Sequence, residues 1–164
     1  MKFSPSKNEF DLISKKYDII AVHAKFTTDS ETPLSAYTKL SAKKPSFLFE
    51  SVVGGEQVSR YSFVGCNPKK IISCGHAETQ IFDRDAGMSS LATPNDPLQL
   101  IEDHMGDRTY HGPDLPQIFA GGAVGYLSYE YANRVEPSIP VPAEDELGLP
   151  LLFFMIADSV LIFD

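Results

Sequence analysis

The chain has 164 residues, 43% of them apolar and 22% charged, which is one ordinary domain with enough apolar side chain to bury a core. Fourteen Lys and Arg against 22 Asp and Glu leave a net charge of −8, which argues against a nucleic-acid or anionic-membrane surface. The longest uninterrupted apolar run, Leu151 to Ala157, is far short of the roughly 20 residues of a membrane helix. No secretory signal is visible in the first residues, and two cysteines, Cys66 and Cys74, are too few for a disulfide framework. These features predict a reduced, cytoplasmic chain.

Asn8 is placed to cap a short helix carrying Phe10, Ile13 and Tyr17. Tyr17 to Thr27 alternates, with Ile20, Val22, Ala24 and Phe26 on one face, and predicts a strand. Thr32-Pro33 is an N-cap followed by proline at the first helical position, and the helix it opens should bury Leu34, Tyr37 and Leu40. Ser46 to Val53, Val58 to Val64 and Lys70 to Ser73 predict a strand meander, with Ala77 to Phe82 a fourth strand and Asp83 to Gly87 a turn. Asp96-Pro97 repeats the cap signal before a helix with Leu98, Ile101 and Met105 that ends near Gly106. Ile118 to Tyr131 predicts a glycine-interrupted strand, and Pro150 to Asp164 an apolar strand bent near Asp158-Ser159. The balance is α+β with mostly antiparallel sheet. Ending on an apolar strand suggests a fold that continues elsewhere.

Candidate chemistry is sparse. His23, His76, His104 and His111 form no metal-ligand spacing. Gly121, Gly122 and Gly125 echo a dinucleotide loop, but strand-like residues follow, so close backbone approach within a sheet is the expectation. In Ser46-Phe-Leu-Phe-Glu-Ser51, Glu50 interrupts a run suited to burial. A buried carboxylate needs a cationic or donating partner. Two readings are open: an ion pair with Arg60, or a site for a ligand bearing an ammonium group. Glu50 and Ser51 point to opposite faces of a regular strand, so both can touch one ligand only if the strand ends or bulges there.

Pro33 to Leu40, Ser46 to Ser51, Arg60-Tyr-Ser-Phe-Val-Gly65, Gly121 to Tyr126 and Ile156 to Asp164 follow one another in an order and spacing that resembles the N-terminal region of anthranilate synthase component I. The superfamily also holds aminodeoxychorismate synthase component I. The resemblance implies an α+β fold with two large antiparallel sheets packed together, and a single N-terminal domain over residues 1–164. It implies a parent enzyme that converts chorismate and ammonia to anthranilate and pyruvate with Mg²⁺, the ammonia coming from a glutamine amidotransferase, component II. Neither the chorismate-binding nor the Mg²⁺-binding motif of that family is in this chain, so the chain alone is expected to be inactive. The resemblance also implies part of a feedback site for L-tryptophan. Glu50 and Ser51 match it, Arg60 and Pro33 stand near it, and Phe49 replaces a family leucine. A stand-alone amino-acid-sensing module is the alternative from a different class.

Overall fold

The computed structural model describes residues 2–42, 44–50, 61–112, 119–140, 145 and 147–164. The elements in chain order are β1 (Phe3–Ser4), α1 (Lys7–Ile13), β2 (Ile19–Ile20), β3 (His23–Ala24), α2 (Pro33–Ser41), β4 (Ser46–Phe49), β5 (Ser62–Cys66) and β6 (Lys70–Cys74). They continue with β7 (Glu78–Asp83), β8 (Gly87–Ala92), α3 (Gln99–Met105), β9 (Tyr110–His111), β10 (Gly122–Leu127), α4 (Ala132–Val135), β11 (Leu152–Ala157) and β12 (Val160–Phe163). The α+β class expected from the sequence is what forms.

An antiparallel sheet in the order β10-β11-β6-β7-β8 faces a smaller antiparallel sheet, β12-β5-β4. Period-2 alternation explains why β11 is apolar at every position. Phe153, Met155 and Ala157 meet Phe47, Phe63 and Val160 of the smaller sheet, and Leu152 and Phe154 meet Ile101 and Leu98 of the α3 segment. Both faces of the strand are therefore buried. Ile71 and Ile72 divide β6 in the same way. Fully burying side chains such as Ile72 and Leu152, at 2% and 0% exposure, contributes about 1.5–3 kcal/mol each. On the far face of the smaller sheet, Val64 is 1% exposed where α2 packs. The layers are thus helix, sheet, sheet, helix.

The chain crosses between sheets at the two places where proline or a bend breaks the ladder. Asn67, at φ 53°, and Pro68 separate β5 from β6, so the predicted meander is split between two sheets. Proline has no N–H for a ladder. At the bend foreseen near Asp158-Ser159, Arg84 grips Asp158 with two hydrogen bonds, of 2.6 and 3.3 Å, and donates to the Asn67 carbonyl at 2.9 Å. One guanidinium so braces both crossings. In β10, a Cβ on Gly125 would fall 1.9 Å from the Phe153 carbonyl oxygen, so the glycine run serves close backbone approach.

Other expectations are corrected. The cap of α1 is Ser6, two residues before Asn8, because Glu9 accepts from the Ser6 N–H at 2.8 Å and from its hydroxyl at 2.6 Å. The single strand over Tyr17 to Thr27 is instead β2 and β3, which pair with different partners, β9 in parallel and β1 antiparallel. Val22 and Phe26 are exposed. In α2 the buried residue is Ala36, while Leu34 and Leu40 are exposed. β8 had no sequence signal.

Candidate functional site

α2 starts where the sequence places it. Thr32 Oγ1 accepts from the Ser35 N–H at 3.1 Å, Ser35 Oγ accepts from the Thr32 N–H at 2.9 Å, and Pro33 occupies the first turn. Glu31, just ahead of the cap, binds Lys39 and accepts the Ser35 hydroxyl at 2.9 Å. The Lys39 ammonium, then the Ser35 hydroxyl, hold its carboxyl below the usual range. The Glu31 carboxylate is therefore occupied within the helix itself.

The short connection after Ser41 turns the chain back into β4, and α2 packs on both β4 and β5. Of the four residues singled out in the sequence, Pro33 opens α2 and Glu50 directly follows β4. Ser51 and Arg60 lie outside the described residues.

β4 ends at Phe49, one residue before Glu50. Glu50 itself is exposed, not buried as its apolar run suggested. The physical reason is the taper of the strand. Phe47 is buried under the larger sheet, Phe49 on the same face is 53% exposed, and burial stops there. The two rings sit 5.5 Å apart, tilted by 38°. This end of the sheet also holds Ser62 of β5 and Phe163 of β12, which are paired in register. Among the described residues no ion pair or hydrogen bond takes up the Glu50 carboxylate. Glu50 thus stands exposed directly after the half-exposed Phe49 ring at the end of β4.

Among the described residues no three His, Cys, Asp or Glu side chains converge to hold a metal ion, so no step through Mg²⁺ is derived for these residues. No described helix is long and apolar enough to cross a membrane.

No family model matches the chain. An anthranilate synthase component 1 from Acetivibrio thermocellus is 36% identical over 164 residues, covering 99% of this chain and 32% of that protein. Proteins of the same name from Acinetobacter calcoaceticus and, as a probable member, Schizosaccharomyces pombe are each 36% identical, over 90% and 100% of this chain and 30% of their own length. A crystal structure of anthranilate synthase component I from Streptococcus pneumoniae TIGR4 aligns with TM-score 0.48 and 23% identity over 87% of this chain and 29% of that one. The chain spans about a third of the length of the relatives it matches. It is thus related along its whole length to anthranilate synthase component 1.

Proposed function

We propose that residues 1–164 form the N-terminal, tryptophan-sensing part of an anthranilate synthase component 1, whose remaining part carries the conversion of chorismate and ammonia to anthranilate and pyruvate. The supporting observation is the 36% identity over 99% of the chain to a protein of that name. In this reading Mg²⁺ and chorismate bind outside these residues, a glutamine amidotransferase component II supplies ammonia, and the enzyme works in the cytoplasm. Glu50 receives the ammonium of inhibitory L-tryptophan, Ser51 hydrogen-bonds it, and Pro33 and Arg60 stand beside the pocket. The exposure of Glu50 fits a half-site whose other wall comes from elsewhere in the enzyme.

The test is a tryptophan titration of anthranilate fluorescence with the full-length enzyme and its Glu50→Ala variant. Removing one partner of a desolvated charge pair costs about 2–5 kcal/mol. The inhibition constant should therefore rise at least about tenfold, at about 1.4 kcal/mol per decade, with turnover little changed. Ser51→Ala should do less, since a neutral hydrogen bond contributes only about 0.5–1.5 kcal/mol net. Unchanged inhibition of Glu50→Ala would remove the regulatory role. Collapse of turnover with the fold intact would make Glu50 part of the active site instead.

A further inference from the structure

The ribbon formed by β1 and β3 carries polar chemistry that the regulatory reading does not use. In its register Ser4 faces His23 and Phe3 faces Ala24. One step outward, the same register sets Lys2 opposite Lys25. Alternation then puts Lys2, Ser4, His23 and Lys25 on one face of the ribbon. All four line a cleft of about 590 Å³, together with Phe3, Ser6 and Glu9. Small-ligand sites run to about 300–1,000 Å³.

Two features of the cleft point to an anion. Two lysines, Lys2 and Lys25, line this one cleft in a chain of net charge −8. Among the described residues, His23 Nδ1 is buried without a hydrogen-bond partner, a costly state for a polar atom. Against these stands Glu9 on the cleft lining, held ionised by the hydroxyl and N–H of Ser6 and in smaller part by Lys2, so a bound anion must draw more from the two lysines than it loses to this carboxylate. We infer that the cleft binds a small molecule bearing a phosphate or paired carboxylates. Lys2 and Lys25 grip the charge, and His23, as its Nδ1–H tautomer, donates to an oxygen. Hydrogen bonds from ammonium groups to such oxygens are the strong, charge-assisted kind. The inference stands apart from the tryptophan site, and neither depends on the other.

The test uses the full-length protein with ¹³C-labelled histidine rings, the His23 signal being assigned with His23→Gln. It is titrated with phosphate, with malonate, and with chloride at matched ionic strength. The His23 signal should move and saturate with phosphate or malonate and not with chloride. Lys25→Gln should raise the half-saturation point by about tenfold or more. Lys16→Gln, whose ammonium lies over the Tyr17 ring, should leave it unchanged. Saturation by phosphate alone identifies a phosphate ligand, by malonate alone a dicarboxylate, and by both a general oxyanion site. A His23 signal that stays still, one that follows all three salts alike, or a Lys25→Gln variant that saturates like the parent overturns the inference.

Discussion

A methyl group at position 65 would lie 2.2 Å from Cε1 of Phe47, because Gly65 and Phe47 face each other across β5 and β4. The obstacle is a side chain, so it can be removed. At position 125 the obstacle is the Phe153 carbonyl oxygen, which is main chain and has nowhere to go. Overpacking of a well-filled core costs about 1–3 kcal/mol. Gly65→Ala should lower the urea midpoint by that order, and adding Phe47→Leu should recover part of the loss as a coupling between touching residues. Gly125→Ala should lower it at least as much, with no recovery from Phe153→Leu. Equal behaviour of the two glycines toward these second changes would contradict the geometry. The glycine run was legible as a close-approach device because glycine without a following helix has few other uses. The Phe47–Gly65 pairing was not, since it needs the strand register. For the candidate site, residue types carried Pro33 to the first turn of α2, but the strand they set from Ser46 to Val53 already ends at Phe49 among the described residues. They did not carry the exposure of Glu50, which depends on how far the larger sheet reaches over β4.

At the scale of elements, α3 is tied to the β6–β7 hairpin through one small polar cluster. Lys70 Nζ lies 3.4 Å from His104 Nδ1 and 3.3 Å from Asp83 Oδ2. Burial, then the Lys70 ammonium, then Arg108 hold the His104 imidazole below its ordinary value. A histidine whose folded value is depressed contributes stability that is present above about pH 6.5 and lost as pH falls through the folded value. His104→Gln should therefore flatten the fall of the urea midpoint between about pH 7 and pH 5, measured against the parent. An unchanged slope would mean that the cluster does not couple α3 to the sheet. The start of α2 was the most legible boundary, because Thr32-Pro33 states a cap and a fixed φ within two residues, whereas α3 begins at Gln99, with Asp96 accepting from the Leu98 N–H in the turn before it. The least legible were β8, exposed at every position, and the pair β2–β9, whose partners stand 91 residues apart. Neither apolar periodicity nor turn chemistry marks a strand held by so distant a neighbour.

For the whole molecule, the sequence pattern marked the segment of β11 as an unbroken apolar run, but not that residues of this same chain bury both its faces. That required the division of one strand's alternate residues between a second sheet and a helix. The turn at residues 158–159 joins the last strand of one sheet to an edge of the other with almost no slack. Neither sheet can open alone without dragging the shared segment out of register. The slowest-exchanging amides of β11 and of β5 should therefore release their protons to deuterium with one common free energy, equal to that of global unfolding. Arg84→Ala, which unfastens Asp158, should let the β5 amides exchange by a cheaper, separate opening while those of β11 keep the global value. If the two sheets already exchange at different free energies in the parent, the short turn is a hinge between two foldons and the molecule breathes along the plane between its sheets.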